Sequence, residues 1–192
     1  MAYMIISFSG AAGSGKSSIA AELSQKLGWP RYYMGGLRRQ AAEKRGLTLA
    51  EYNKLGEKDP QTDFEVDEYQ KKLGETQDNF IIEGRTSWYL IPHSLKIYLD
   101  ADEDEGARRV FGHLQQKNQR NEDLELSSVE AVKESHRKRL ASDSLRYKKY
   151  YNIDVNDKRH YDFYLDTTNL TKEEVYRAVY GFISSHLDNK KN

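Results

Sequence analysis

Residues Gly10 to Ser17 read GAAGSGKS, a full match to the pattern GxxxxGK[ST], and no other stretch constrains the fold as strongly. Glycines at 10, 13 and 15 let successive backbone N–H groups turn inward toward phosphate oxygens, where Cβ atoms would stand in the way. The predicted cradle runs from Gly10 through Ala11, Ala12, Gly13, Ser14, Gly15, Lys16 and Ser17 to Ser18. Lys16 reaches the β- and γ-phosphates of a bound triphosphate, and the Ser17 hydroxyl suits Mg²⁺. Upstream, Met4-Ile5-Ile6-Ser7-Phe8 is the short apolar run of a buried parallel strand. Downstream, Ile19, Leu23 and Leu27 recur on one helical face, with Gly28 as C-cap. Strand, turn and helix thus follow in the order that aims a helix N-terminus at an anion. A Gly-rich turn that merely happens to carry Lys and Ser needs no such frame.

The remaining elements repeat that alternation. Extended runs are predicted at Pro30 to Met34, Phe80 to Glu83, Leu95 to Leu99 and Tyr161 to Leu165. Between the second and third lies a helical, polar stretch, 36–74. It holds a helix from Leu37 to Arg45, then two helices with capping boxes at Thr48/Glu51 and Thr62/Glu65. Ala107, Val110, Phe111 and Leu114 mark another helix face, and residues 115–126 lose apolar periodicity. Ser127/Glu130 opens a long helix to about Tyr150, Thr171/Glu174 caps the last one, and a frayed tail closes the chain at 189–192. Strands alternating with helices give an α/β fold, an open sheet of about five parallel strands covered on both faces. In 192 residues this makes one domain. Its core is expected at 1–35, 75–114 and 151–188, with an acceptor-binding arm at 36–74 and a lid at 115–150.

Charge and composition narrow the partners. Thirty basic and thirty acidic residues balance, which argues against a general nucleic-acid or membrane-surface binder. Cysteine is absent, so disulfides and thiolate metal sites are excluded. No run approaches the ~20 apolar residues of a membrane span, and no leader precedes the first strand, so the protein is expected in the cytoplasm, as a monomer without a stable nucleic-acid partner.

In such sheets ligands bind beyond the carboxyl ends of the strands, which makes the residues there the candidates. Glu83 ends its strand where a carboxylate can hold a Mg²⁺-bound water; the plain alternative is a strand-end Glu in solvent. Arg39 and Arg85 both follow strands, and their planar forks suit a second phosphorylated molecule. Arg139, Asp143 and Arg146 form RxxxDxxR on one helical face. Alone, that pattern is an intrahelical salt-bridge chain. From Lys133 to Lys149, however, seven basic residues face two acidic ones, a cluster fit for a lid closing over phosphates or for contact with RNA. Arg108 and Arg109 lie at its base. The five histidines form no close pair and are read as structural or surface groups. A phosphate acceptor is already ionised at neutral pH and needs no general base. Tyr32, Tyr33 and Tyr147 fall near the cleft.

GAAGSGKS, GGLRR, IIEGR, YLDA, RxxxDxxR running into RYKKYYNIDV, and LDTTNLTKEEV, in that order, resemble cytidylate kinase in its compact archaeal-type form, within the nucleoside monophosphate kinase group of P-loop NTPases. The resemblance implies a three-layer P-loop fold and transfer of the ATP γ-phosphoryl group to CMP or dCMP, with Mg²⁺. It implies that Gly35 and Arg39 match one monophosphate-binding motif and Gly84 and Arg85 a second. Arg139, Asp143 and Arg146 match the lid motif that holds the acceptor, and Asp166 to Asn169 the loop skirting adenine. Lys16, Arg85 and Arg139 are then the expected catalytic residues, Arg109 joins the ATP site, and Ser17 and Glu83 hold the metal. Met34 departs from the Ser that many bacterial members carry, and Tyr33 and Gly36 are also unlike the usual residues. Two rival readings are a kinase for AMP, UMP or a non-nucleotide acceptor, and an RNA-associated P-loop ATPase.

Overall fold

Ile5–Gly10 (β1) is buried along its whole length, as an interior strand of a sheet covered on both faces is. The computed structural model describes residues 4–115 and 126–189. Most of the polar connection at 115–126 and the tail at 190–192 lie outside them. In chain order the elements after β1 are α1 (Lys16–Leu27), β2 (Arg31–Tyr33), α2 (Met34–Lys44), α3 (Leu49–Gly56), α4 (Gln61–Thr76) and β3 (Phe80–Glu83). There follow α5 (Ser87–Leu90), β4 (Leu95–Asp100), α6 (Glu103–Leu114), α7 (Val129–Tyr151), β5 (Phe163–Asp166) and α8 (Lys172–Asn189). The five strands form one sheet in the order β2-β3-β1-β4-β5, and every pairing is parallel. Among the described residues no helix is long and apolar enough to cross a membrane.

Period-two alternation along β1 divides the core. Ile6 and Phe8 pack with Ile19 and Leu23 of α1 and Val179 and Ile183 of α8. Ile5 faces the other way, onto Met34, Leu73 and Ile91. Helices on both faces of a parallel sheet complete the three-layer α/β fold. Phe8, Ile6 and Leu23 are fully enclosed, and truncating any of them to Ala costs about 2–5 kcal/mol. A smaller cluster, Ala107, Val110 and Val132, joins α6 to the N-terminal half of α7.

Several boundaries differ from the sequence reading, each for a local reason. The second strand ends at Tyr33, so Gly35 and Gly36 sit in the first turn of α2 rather than before it. Thr48/Glu51 and Thr171/Glu174 form reciprocal caps. Thr62 does not cap: it lies inside α4 and its hydroxyl donates to the Asp59 carbonyl at 3.0 Å. The start of α4 is set by Pro60, with Asp59 accepting from the Gln61 N–H at 3.0 Å. Ser128, not Ser127, caps α7, through the Ala131 N–H at 3.1 Å. The short helix α5 and a 3-10 turn at Lys158–His160 carried no signal in the sequence reading.

Candidate active site

The loop between β1 and α1 is bent by left-handed residues at its glycines. Gly13 has φ +75°, and a Cβ there would collide with the backbone of Gly106 in α6. The Ala11 N–H donates to the Leu99 carbonyl at 3.0 Å, fixing the loop on β4. Gly15, at φ +84°, caps α1, so the first helical residue is Lys16. The Lys16 ammonium folds back on the Ala11 carbonyl and lies 3.3 Å from the Ser14 hydroxyl.

This loop forms part of the wall of a cavity of about 610 Å³. Of the cradle residues, Gly10, Ala12, Gly13, Ser14, Gly15, Lys16, Ser17 and Ser18 line it; Ala11 contributes its carbonyl to Lys16 instead. The same cavity receives Gly35, Arg39, Glu83, Gly84, Arg85, Arg109, Arg139 and Asp143. Arg146 does not reach it and is wholly buried behind.

Ser17 and Glu83 meet as the sequence order suggests. The Ser17 hydroxyl donates to Glu83 Oε2 at 2.7 Å, and Arg31, a residue that sequence reading passed over, donates to Oε1 at 2.5 Å. Glu83 is 3% exposed, so it is held by two partners rather than bathed in solvent.

On the arginine side, Asp143 is the common anchor. Its Oδ2 lies 2.7 Å from Arg85 Nε and 3.9 Å from Arg139 Nε, while Oδ1 accepts from Arg146. Burial opposes the charge of Asp143, yet Arg85, Arg146 and Arg139 hold its carboxyl below the usual range. RxxxDxxR is therefore an intrahelical chain and also a bridge to the loop after β3. Burial lowers the pKa of Arg139, the attraction of Asp143 opposes the shift, and the nearby charges of Arg85 and Arg39 add to it. Arg39 donates to the Tyr33 hydroxyl at 2.8 Å and the Gly35 carbonyl at 3.2 Å.

Arg109 behaves differently from a simple phosphate ligand. Its guanidinium donates to the Thr167 and Thr168 carbonyls at 2.9 and 3.0 Å, and to Gly13 at 3.4 Å. It thereby ties the loop at 166–169 to the phosphate cradle. Arg108 stays at the surface, paired with Glu105 at 3.1 Å.

Sequence reading missed part of the wall. Arg38, Asp63, Asp67, Gln70 and Thr86 all line the cavity, and so do His113 and His136, which had been placed among structural or surface groups. A signal for the histidines existed: His113 lies four residues after Arg109 and His136 three before Arg139, on the same helical faces. Tyr33 and Tyr147 line the cavity, whereas Tyr32 turns away to pack on Phe80 and bond Gln77. Asp67 accepts from Gln70 Nε2 at 2.8 Å, Thr86 Oγ1 at 3.0 Å and the Tyr151 hydroxyl at 2.6 Å. The basic excess along α7 is largely paired: Lys133 with Asp104, Arg137 with Glu103 at 2.5 Å, Arg146 with Asp63 and Asp143.

Solved structures share the architecture. An uncharacterized protein from Eubacterium ventriosum superposes with a TM-score of 0.69 at 17% identity, covering 95% of this chain and 99% of that one. Shikimate kinase from Bacteroides thetaiotaomicron follows at 0.63 and 14%, covering 97% and 99%. At such identities the likeness speaks for the fold. Sequence relatives are nearer. The chain is 36% identical over 185 residues to cytidylate kinase of Natronomonas pharaonis, covering 95% of this chain and 91% of that protein. It is 34% identical over 176 residues to cytidylate kinase of Methanobrevibacter smithii, covering 92% and 96%. Residues 5–169 match the profile of the cytidylate kinase-like family, a span that runs from the central strand through the phosphate cradle and the arginine cluster to the Thr167 loop. With fold, cradle and profile in agreement, the chain belongs to the cytidylate kinase-like family of ATP-dependent phosphotransferases.

Proposed function

We propose that the protein transfers the γ-phosphoryl group of ATP to CMP or dCMP, yielding ADP and CDP or dCDP. The observation that carries this reading is the sharing of one cavity by the phosphate cradle with Lys16 and by Arg39, Arg85 and Arg139. Arg85 and Arg139 beside Asp143, with Arg39 on the same cavity wall, suit a phosphomonoester dianion held in line with a triphosphate. The acceptor arrives ionised, so no residue has to remove a proton. Lys16 and the backbone amides hold the donor phosphates; Arg39 and Arg85 orient the acceptor phosphate; Arg139 balances the charge that spreads over the transferring group. Enclosure keeps water from competing as acceptor.

Ser17 and Glu83 fit Mg²⁺. Both offer oxygen, the donor that a hard cation takes, and they stand 2.7 Å apart. Among the described residues no group of three His, Cys, Asp or Glu could hold a metal ion alone, which suits an ion carried in by phosphates. When bound, Mg²⁺ supplies charge neutralisation at the β- and γ-oxygens. The pairing of the α7 cations supports a small-molecule acceptor over RNA. In this reading residues 36–74 act as the acceptor-binding arm and residues 115–150, of which 116–125 lie outside the described residues, as the lid of a cytoplasmic monomer.

A panel of CMP, dCMP, UMP, AMP and shikimate with ATP and Mg²⁺, followed by ADP release, tests the reading. Turnover is expected with CMP or dCMP at rates well above the others. No turnover with either removes the assignment.

A further inference from the structure

The chain places Asp63 and Arg146 in separate insertions, 83 residues apart, yet they share a buried ion pair. Asp63 Oδ1 accepts from Arg146 and, at 2.8 Å, from Arg38. Arg38 in turn donates to Asn53 Oδ1 at 2.8 Å and to the Thr62 carbonyl at 3.0 Å, joining α2, α3 and α4. The second nitrogen of Arg146 holds Asp143, which holds Arg85 at 2.7 Å and stands 3.9 Å from Arg139. An alternating chain, Arg38–Asp63–Arg146–Asp143–Arg85, therefore runs from the arm through α7 to the loop after β3. Its inner members are almost sealed: Arg146 is 0% exposed, Asp63 2% and Asp143 2%.

Two physical consequences follow. Parting Asp63 from Arg146 would break an ion pair in a dry interior and leave each group with one ionic partner, Arg38 and Asp143, where water cannot make good the loss. Separation of α7 from the arm is resisted further by two tyrosine hydrogen bonds, Tyr150 Oη to the Gly56 carbonyl at 2.7 Å and Tyr151 Oη to Asp67 at 2.6 Å. At its other end α7 meets α6 through the small Val132 cluster and through partly exposed pairs such as Arg137–Glu103, which water screens. The joint with the arm is therefore a buried charged network, and the joint with α6 an apolar cluster with screened ion pairs around it.

We propose that Asp63 is a positioning residue for the phosphoryl-transfer site: through Arg146 and Asp143 it sets Arg85 and Arg139, and it makes the arm and the C-terminal half of α7 one moving body instead of two independent flaps. This rests on the phosphotransferase reading above.

The absence of cysteine gives a clean background for paired spin labels. Glu68→Cys in α4, Lys148→Cys in α7 and Lys26→Cys in α1 are exposed positions. Pairwise distances are measured by electron–electron resonance without nucleotide, with β,γ-imido-ATP, and with β,γ-imido-ATP plus CMP. The 68–148 spacing is expected to stay constant while 26–68 and 26–148 change together. A 68–148 spacing that changes on ligand addition, or no change in any spacing in protein that turns over CMP, overturns the proposal. Absence of turnover with every acceptor would instead remove the functional reading, and the 68–148 spacing under β,γ-imido-ATP would still decide whether the body is single.

Kinetics supply the second arm. Asp63→Asn keeps the size and removes the charge. It is expected to lower kcat at least about tenfold, with the KM for ATP within about twofold, and to cost far less in an Arg139→Ala background. Equal losses in both backgrounds, or a raised KM for CMP with unchanged kcat, overturn the positioning role.

Discussion

Gly106, in the first turn of α6, lies against Gly13 of the phosphate cradle so closely that a Cβ on either would run into the backbone of the other loop. On Gly106 that Cβ would sit 2.5 Å from the Ala12 carbonyl oxygen. Helix glycines are ordinarily improved by Ala, by about 0.5–1 kcal/mol. At Gly181 of α8, where nothing lies within 4 Å of the added methyl, Gly181→Ala should show that gain. At Gly106 the sign inverts: Gly106→Ala should cost about 1–3 kcal/mol through overpacking and raise the KM for ATP. Paired thermal melts decide; two upward shifts would refute the close approach.

Lys16 is half-buried and bonded to its own loop through the Ala11 carbonyl and the Ser14 hydroxyl. Lys16→Met should therefore leave the melting temperature nearly unchanged, within the ±0.5 kcal/mol usual for surface changes. In the proposed reaction its charge serves the donor phosphates, so kcat should fall about 10²–10³-fold. Near-normal kcat in a folded Lys16→Met protein would contradict the assigned role.

Arg139 separates the functional reading from the ordinary one. Its Nε stands 3.9 Å from an Asp143 that Arg85 and Arg146 already neutralise, and it is crowded by Arg85 and Arg39. Arg139→Ala should thus change stability by less than about 1 kcal/mol, because repulsion is relieved as attraction is lost. kcat should drop about 10²–10³-fold, the loss usual when one preorganised transition-state donor is removed. Steady-state assays beside urea titrations would show it, and an unchanged rate would demote Arg139 to a salt-bridge partner.

What the sequence made legible follows from what is local. The cradle is a backbone device, spelled out by residues 10–17, and the apolar runs of β1 and β3 are buried on both faces because helices cover both sides of the parallel sheet. Helix caps were legible at Thr48 and Thr171, whose hydroxyls have no better partner. Thr62 carries the same spacing, but the helix, capped at Pro60, starts two residues earlier, and the Thr62 hydroxyl turns back to Asp59. The buried charges were beyond reach for a different reason. In sequence, Asp63 and Asp67 look like the solvated side of a polar helix; only the arrival of Arg38, Arg146 and Tyr151 from elsewhere makes them interior groups. Pairings that span 83 or 84 residues leave no periodic trace.

Asp67 makes a pH dependence that these pairings allow. Burial is the largest influence on its carboxyl and pushes its pKa from 3.8 to about 6; the Tyr151 and Thr86 hydrogen bonds pull the other way without cancelling it. The folded state thus retains a proton that the unfolded chain has already released between those values. Wherever the native state binds more protons, stability falls as pH rises. The loss should accumulate from pH 4 to pH 6 and level off above, at about 2–3 kcal/mol. Asp67→Asn removes it without breaking the network: the amide oxygen accepts from Gln70 and Thr86, and the amide nitrogen donates to the Tyr151 oxygen. The variant should melt higher than the parent at pH 7.5, by about 2–4 °C for each kcal/mol regained, and match it near pH 4. Denaturant titrations at the two pH values measure the difference directly, and an equal gap at both would show that Asp67 does not titrate in this window.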